Sequence, residues 1–224
     1  MAIEKPCRHL LVGVSGSIHA LDIHNYLYRF RELFAHTIKV IMTESAARMV
    51  DPKTVELYTD DRVFIDSWDR SPSVDKAPHI QLARWADLFV VVPATADILG
   101  KAAHGIATDL LSTTLLNYSR PIVFAPAMST VMWQNKVVRR NAQTLKDDGH
   151  YIIDPEAVTV EVGSGDWGQG LGPSPDTVLR HLQHIRMREL RQEYWAEATA
   201  EPPMTPAQRK LQQLAAKAVS PTQK

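Results

Sequence analysis

Apolar runs and amphipathic stretches alternate along most of this chain. Residues 9–14, 38–42, 88–92 and 121–125 are short, mostly apolar runs with the length of buried strands. Between them, apolar residues recur at the spacing that places them on one face of a helix. This alternation predicts an α/β fold with a doubly wound parallel sheet, a Rossmann- or flavodoxin-like three-layer sandwich.

The same pattern divides the chain into a domain and a tail. Helices are predicted at residues 98–117, 131–148 and 176–198, and the last strands at residues 151–153 and 158–162. Residues 60–78 carry scattered Asp, Ser and Pro, which predicts a less regular segment. We expect one domain over residues 1–185, followed by a helical or partly disordered tail over residues 186–224.

Composition and charge exclude several classes of partner. Lys plus Arg number 25 and Asp plus Glu number 25 in the 224 residues, so no basic excess is present to bind nucleic acid. The apolar runs are far shorter than the roughly 18 residues that span a bilayer, so no membrane partner is expected. Glu4 and Pro6 stand where a secretory signal would be basic and then apolar, and a cytoplasmic location is expected. Cys7 is the only cysteine, and no metal site is expected.

Turns that carry hydroxyl side chains follow the first three predicted strands. Residues 13–18, Gly-Val-Ser-Gly-Ser-Ile, link the first strand to a helix. Thr43 and Ser45 follow the second strand, and Thr95 follows the third. Because the carboxyl ends of parallel strands share one edge of a sheet, these hydroxyls together suit a single phosphate ester.

The first of these turns admits two interpretations. The hydroxyls of Ser15 and Ser17 can donate to a bound anion, or the segment is a structural turn in which Ser17 caps the helix. The turn lacks both the Gly-X-Gly-X-X-Gly spacing and the Walker A lysine. Their absence from this turn argues against nicotinamide dinucleotides and nucleoside triphosphates as ligands.

The fourth apolar run leads into residues 126–133, Pro-Ala-Met-Ser-Thr-Val-Met-Trp. This segment resembles the Pro-X-Met-Asn-X-X-Met-Trp signature of the flavin-containing cysteine decarboxylases, with Ser129 where the family has Asn. That family oxidises a cysteine whose carboxylate is free, at the end of a peptide or in a pantetheine precursor, and carbon dioxide leaves. The resemblance covers residues 8–172 and implies that residues 1–185 are a flavin-binding decarboxylase domain.

The resemblance also implies a binding site for FMN, or for FAD. The cofactor-binding residues that it implies are Gly16, Ser17, Ile18, Thr43, Ser45, Pro93, Ala94, Thr95, Asp97, Asp109, Ala127 and Met128. Asp97 departs from the family's Asn, and a carboxylate repels a phosphate unless it pairs or turns away. Asp109 stands at a position where the family has Asn or Asp.

His79 begins a segment, residues 79–87, that is similar to the family's His-Ile-X-Leu-X-X-X-Ala-Asp motif. The resemblance makes His79 the catalytic residue. A cysteine thiol has a pKa of about 8.5, so a base is needed to form the thiolate at neutral pH. The implied reaction then passes a hydride from the cysteine Cβ to the flavin, releases carbon dioxide and leaves an enethiol. The alternative is a histidine that faces solvent at a helix start.

The resemblance assigns the substrate pocket to Ser129, Met132, Trp133 and Ser164. For Met132 and Trp133, core packing at a helix start remains an equal alternative. Ser164 stands where decarboxylases of the coenzyme A pathway carry a cysteine that helps to reduce the enethiol. Because a hydroxyl cannot act as a redox partner, the product is expected to stay oxidised. The Gly-rich stretch 163–172 is then either a flap over the substrate or a surface loop.

The resemblance therefore indicates oxidative decarboxylation of the C-terminal cysteine of a ribosomally synthesised precursor peptide, as in lanthipeptide biosynthesis. The product would be an aminoenethiol for aminovinyl-cysteine formation. Family members assemble as homo-trimers, or as dodecamers built from trimers, with active sites between subunits. Two alternatives stay open: a phosphopantothenoylcysteine decarboxylase that uses another reductant, and a non-catalytic flavin-binding regulatory subunit.

Overall fold

Strands and helices alternate along the chain in the structure. It is a computed structural model, and it describes residues 5–155, 158–160, 167–169 and 172–199. The strands are β1 Cys7–Val14, β2 Ala35–Met42, β3 Leu88–Ala94, β4 Ile122–Pro126, β5 Tyr151–Ile152, β6 Val158–Val160 and β7 Trp167–Gln169. The helices are α1 Ile23–Leu33, α2 Glu44–Met49, α3 Pro52–Glu56, α4 Pro78–Trp85, α5 Ala96–Ala103, α6 Leu110–Asn117, α7 Thr130–Gln134, α8 Lys136–Asp147 and α9 Pro175–Thr199, with a 3-10 turn at Ile18–Asp22.

The first five strands form one parallel sheet in the order β2-β1-β3-β4-β5. Val12 of β1 pairs with Val40 of β2, and Leu10 of β1 pairs with Leu88 of β3. Every residue of β3 is buried, as expected for a parallel strand covered on both faces. The strand order reverses between β1 and β3, which is the switch point where sheets of this topology bind ligands. The structure thus confirms the predicted doubly wound parallel sheet.

Two apolar layers cover the two faces of this sheet. One layer contains Leu27 of α1 and Leu182 of α9, both fully buried. The other contains Leu82 of α4, Leu99 of α5 and Leu111 of α6. The helices of both layers bury one apolar stripe each, which completes the three-layer sandwich.

The chain divides into two compact units, residues 1–187 and 188–224. The strands β6 and β7 pair with each other in antiparallel fashion, apart from the main sheet. In the part of the chain that the structure describes, no helix combines the length and apolarity needed to cross a membrane.

Two predicted helices are each broken in the structure. The helix predicted at 98–117 ends at Ala103 and restarts at Leu110, because Gly105 adopts a positive φ of 65° and Asp109 begins α6 with a capping box. The helix predicted at 131–148 is interrupted at Asn135, whose side chain accepts a hydrogen bond from Val137 N at 2.9 Å and caps α8. These caps begin new helices at positions that hydrophobic spacing alone does not indicate.

A buried ion pair attaches the irregular segment 61–74 to β2. Lys39 Nζ lies 3.1 Å from Asp61 Oδ2, and their side chains are 6% and 9% exposed. The hydroxyls of Ser71 and Ser73 donate to the same carboxylate. Burial, the largest influence, would raise the pKa of Asp61, but the hydrogen bonds from Ser73, Lys39 and Ser71 together lower it. The segment that follows Asp61 is therefore fixed by charge as well as by packing.

We predict that Lys39→Met lowers the free energy of unfolding by about 3–5 kcal/mol, because it leaves the Asp61 carboxylate buried without its cation. Urea unfolding measures the change. As a control, Lys53→Met removes a lysine whose side chain is 78% exposed, and it should cost less than about 1 kcal/mol. Because folding lowers the pKa of Asp61, the pair's contribution is present above the unfolded-state pKa and is lost as the pH falls through the folded-state value. Equal losses in the two variants would contradict the assignment.

Candidate functional site

A cavity of about 740 Å³ opens where β1, β2 and β3 end. The predicted site residues that line it are Gly16, Thr43, Ser45, Thr95, Asp97, Asp109 and Met132. They come from the ends of β1, β2 and β3, from the helices that follow these strands and, for Met132, from α7 after β4, and they surround the switch point between β1 and β3. The structure therefore brings together most of the polar residues that the sequence assigned to one ligand.

Ser15 joins the ends of β1 and β3 at the floor of this cavity. Its hydroxyl donates to the carbonyl oxygen of Pro93 at 2.8 Å and accepts from Thr95 N at 2.9 Å. The residue is 2% exposed. Because the single hydroxyl hydrogen goes to Pro93, the expectation that Ser15 donates to a bound anion is wrong. Its role is to fix the position of Thr95.

Gly16 allows the first turn to touch the start of α2. A Cβ atom at this position would lie 2.4 Å from Ser45 Cβ and 3.2 Å from the Ser45 carbonyl carbon. Any side chain would push the two strand ends apart, so the contact requires glycine. The hydroxyl-bearing turns after β1 and β2 consequently share one narrow concave surface.

Two threonine hydroxyls in the cavity also cap helices. Thr43 Oγ1 accepts from Ala46 N at 3.2 Å, and Thr95 Oγ1 accepts from Ile98 N at 3.3 Å. Each hydroxyl accepts in these contacts and keeps its own hydrogen for a ligand. The start of α5, behind Thr95, adds partial positive charge. This end of the cavity therefore presents hydrogen-bond donors to an anion.

Lys101 forms ion pairs with both predicted carboxylates of the cavity. Its Nζ atom lies 3.0 Å from Asp97 Oδ2 and 2.9 Å from Asp109 Oδ2. Burial alone would lower the pKa of Lys101, but the hydrogen bonds to Asp109 and Asp97 raise it. Burial would likewise raise the pKa of Asp109, yet hydrogen bonds from Ser112 and Lys101 lower it. Asp97, which stands where the family has Asn, is thus paired with Lys101. This pairing offsets part of the repulsion between its carboxylate and a bound phosphate.

Several residues that line the cavity were missed by the sequence reasoning. Lys101 stands four positions after Asp97, and this helical spacing was the available signal. Ile65, Asp66 and Trp68 belong to the segment predicted to be irregular, where nothing in the pattern indicates which side chains face a site. Trp68 is 82% exposed, and its flat indole face suits stacking on a planar ligand.

The signature segment 126–133 divides between the apolar core and the cavity. Ala127, Met128 and Trp133 are buried, and Arg139 lies over the Trp133 ring at 4.6 Å. Met132 is 47% exposed and lines the cavity. The two alternatives for Met132 and Trp133 were substrate contact and core packing. In the structure Trp133 packs in the core, whereas Met132 faces the cavity.

The other predicted site residues lie around the cavity without lining it. Ser129 caps α7 through a 3.4 Å bond from Met132 N. Ser17 stands before the 3-10 turn and makes no capping hydrogen bond, so its hydroxyl is not used as a helix cap. The rest of this group are Ile18, which is exposed, and the buried Pro93 and Ala94 of β3. Ser164 lies outside the described residues.

His79 occupies the first turn of α4 and is partly exposed. It does not line the cavity of its own chain. The preceding Ala77 has a φ of 40°, a left-handed conformation that costs energy for a residue with a Cβ atom. In the described part of the chain, the cavity lining therefore contains no histidine, and the predicted base and the predicted cofactor site are separate within one subunit.

Comparison with known proteins identifies relatives along nearly the whole first unit. Residues 2–186 match a family described as Flavoprotein. The chain is 36% identical to mersacidin decarboxylase from Bacillus sp. (strain HIL-Y85/54728) over 178 residues, which covers 79% of this chain and 89% of that protein. It is also 36% identical to the coenzyme A biosynthesis bifunctional protein CoaBC of Bacillus subtilis (strain 168). That match extends over 196 residues, which is 87% of this chain. It spans 45% of that longer protein.

Further matches come from a plant protein and from solved structures. The chain is 34% identical to phosphopantothenoylcysteine decarboxylase HAL3a of Glycine max, covering 80% of this chain and 85% of that one. The structure of MrsD from Bacillus sp. HIL-Y85/54728 is similar with a TM-score of 0.67 and 33% identity, over 80% of this chain and 96% of that chain. The FMN-dependent cysteine decarboxylase SpaF is similar with a TM-score of 0.62 and 35% identity, over 72% and 89% of the two chains.

We predict that Ser15→Ala weakens the affinity for FMN about tenfold, because it removes two buried hydrogen bonds that position Thr95. Quenching of flavin fluorescence measures the dissociation constant. Ser15→Thr keeps the hydroxyl and should bind nearly as well as the unmodified protein. Thr114→Val removes another buried hydroxyl, which does not line the cavity and bonds only to the backbone carbonyl of Leu110, and it should change the constant by less than about twofold. An unchanged affinity in Ser15→Ala would remove this residue from the site.

Proposed function

Because this chain belongs to the flavoprotein family and is a flavin-dependent cysteine decarboxylase, we propose that its substrate is the C-terminal cysteine of a ribosomally synthesised precursor peptide. The product is an aminoenethiol for aminovinyl-cysteine formation. The observation that carries the proposal is the cavity at the β1–β3 switch point, with its hydroxyl donors and the signature residue Met132 in one lining. The similarity to mersacidin decarboxylase supports a peptide substrate.

The shape and donors of the cavity fit FMN as the cofactor. Gly16 lets the turn after β1 pack directly against Ser45, which brings the hydroxyls of Thr43, Ser45 and Thr95 to one cavity. One cluster of donors suits one phosphate ester better than a pyrophosphate, which favours FMN over FAD. The pairing of Asp97 with Lys101 limits the repulsion that a phosphate would meet. The similarity to the FMN-dependent SpaF supports the same choice.

The cofactor and the residues of this chain have separate roles in the proposed reaction. When bound, the flavin supplies the acceptor for a hydride from the cysteine Cβ. His79 takes the proton of the substrate thiol, which makes the sulfur electron-rich before oxidation. Met132 and Trp68 provide apolar and aromatic surface at the cavity, where they exclude water from the reacting cysteine. Ser129 offers a hydroxyl beside them, at the position where the family has an amide.

The position of His79 leads us to propose a shared active site. Since His79 does not line its own cavity, it acts in the cavity of a neighbouring subunit. We therefore propose a homo-trimer, or a dodecamer built from trimers, as the active form. We also propose that the enzyme works in the cytoplasm, where a ribosomal precursor peptide is made.

A phosphopantothenoylcysteine decarboxylase is the second candidate. It is favoured by the similarity to HAL3a, which is nearly as strong as that to mersacidin decarboxylase. Both candidates decarboxylate a cysteine whose carboxylate is free, and they differ in whether the enethiol is reduced afterwards. Ser164 in place of a thiol argues for the oxidised product.

We predict that the flavin-loaded protein converts a peptide ending in cysteine to a product lighter by about 46 Da, the sum of carbon dioxide and two hydrogens. Mass spectrometry of the peptide measures the change. The same peptide ending in serine is the control and should not react. A loss of carbon dioxide alone, or reaction only with phosphopantothenoylcysteine, would favour the second candidate.

We predict that His79→Asn lowers turnover about 10²–10⁴-fold, as expected for loss of a general base. FMN affinity should change far less than turnover, because the hydroxyls proposed to bind FMN belong to Thr43, Ser45 and Thr95 rather than to His79. His184→Asn changes an exposed histidine on α9 and serves as the matched control. An unchanged rate in His79→Asn would remove this residue from the mechanism.

Mixed assemblies test whether the site is shared. Subunits carrying His79→Asn are unfolded and reassembled with subunits carrying Gly16→Leu, in which the new side chain collides with Ser45 and distorts the proposed cofactor-binding turn while His79 is kept. Activity well above that of either variant alone is expected if His79 serves a neighbouring cavity. Mixtures as inactive as the separate variants would place His79 in its own subunit's reaction or outside the reaction.

A further inference from the structure

A second cavity, of about 630 Å³, lies between the end of α8, β5 and α9. We call it the basic groove. Ile152, Ile153 and Ile185 form its apolar surface, and Lys146 and Arg180 stand among its charged residues. Its volume falls within the range of small-molecule sites in proteins. It shares no lining residue with the first cavity, at the ends of β1, β2 and β3, where we propose that FMN binds. We call that first cavity the flavin cavity.

The basic groove lies at the other edge of the sheet from the flavin cavity. His150 and Tyr151, which line it, stand at the start of β5, whereas the flavin cavity follows the ends of β1, β2 and β3. In a parallel sheet, strand starts and strand ends lie on opposite edges. Arg186 Nε donates to the carbonyl oxygen of Pro6 at 3.2 Å, so α9 reaches the start of β1 beside the groove. A ligand of this groove would therefore not compete with the flavin.

The permanent charges of the basic groove are only partly neutralised. Lys146 Nζ lies 3.2 Å from Asp154 Oδ2, and both side chains are substantially exposed. The Arg180 guanidinium donates to Thr177 Oγ1 at 3.1 Å. Across the described residues, Arg180 forms no salt bridge and no carboxylate lines the groove. The planar guanidinium thus keeps donors for a carboxylate or phosphate.

Hydrogen bonds fix the proton positions of two histidines in the groove. His150 Nδ1 accepts from Ile122 N at 3.1 Å. Burial lowers the pKa of His150, although Asp148 acts in the opposite direction. Neutral His150 therefore carries its hydrogen on Nε2. His181 Nδ1 lies 2.8 Å from the carbonyl oxygen of Thr177, which can only accept, so the Nδ1 atom of His181 is protonated.

We propose that the basic groove binds a small amphipathic anion, a carboxylate or phosphate group attached to an aliphatic body. The anionic head pairs with Arg180 and accepts from His150 Nε2, while the aliphatic body covers Tyr151 and Ile152, the partly exposed apolar side chains of the lining. A bare anion would leave Tyr151 and Ile152 uncovered, and a neutral apolar molecule would leave Arg180 without an anionic partner. The inference is independent of the peptide substrate proposed above.

Titration calorimetry of the full-length, FMN-loaded protein tests the site, with sodium octanoate as the probe. Saturable binding is expected for octanoate. Octanol has the same body without the charge, and inorganic phosphate has charge without the body. Each should bind at least about tenfold more weakly, since it makes only half of the contacts. Equal binding of octanol would show an apolar groove alone, and equal binding of phosphate an anion site alone; either result overturns the proposal.

Paired arginine variants locate the binding. Arg180→Gln should weaken octanoate binding about tenfold, as expected for the loss of a charged hydrogen bond. Arg188→Gln changes an exposed arginine of the same helix that does not line the groove, and it should bind octanoate as before. FMN content and decarboxylation should be unchanged in both variants. A failure of the groove proposal can therefore be told apart from a failure of the proposed function. Absence of saturable binding, or equal weakening by the two substitutions, would overturn the proposal.

Discussion

The hydroxyl of Ser15 is the contact on which the flavin cavity depends. The strand order reverses between β1 and β3, so the connections that follow these two strands leave in opposite directions. The space between them is open to a ligand. Ser15 bridges that opening with one donated and one accepted hydrogen bond, both inside the protein. A buried hydroxyl with both partners satisfied stabilises one arrangement, because any other would leave a polar atom unpaired. Thr95 and the start of α5 are positioned as a result.

The cavity is suited to an anion although its lining has more negative than positive side chains. In the described residues, Lys101 is the cation in the lining, and it is already engaged by Asp97 and Asp109. Recognition therefore rests on neutral donors, the hydroxyls of Thr43 and Thr95 among them. Neutral donors select by geometry and are screened little by salt, unlike exposed ion pairs. This agrees with a chain of zero net charge that binds one defined phosphate ester rather than polyanions.

The sequence allows the sheet and the convergence of its polar turns to be predicted, because both follow from local patterns. Buried strands produce continuous apolar runs, and parallel pairing brings Thr43 and Thr95 to one edge without further information. Helix breaks were not predicted, since they depend on the capping box at Asp109 and on the side-chain cap at Asn135, within an otherwise regular pattern. The place of Trp68 in the cavity was also beyond prediction, because the buried Lys39–Asp61 pair that orients its segment joins residues distant in sequence.

If His79 serves a neighbouring cavity, as proposed above, its position outside the lining of its own cavity links catalysis to assembly. The hydroxyls that we propose as donors to the cofactor belong to strand ends of one chain, so on this proposal cofactor binding needs only that chain to fold. On the proposed arrangement, proton removal needs a second subunit, because the base stands on α4 outside the lining. A lone subunit would then hold flavin without oxidising thiols. On that arrangement, coupling the base to assembly would confine this oxidative chemistry to the complete oligomer, because only there would His79 reach a cavity.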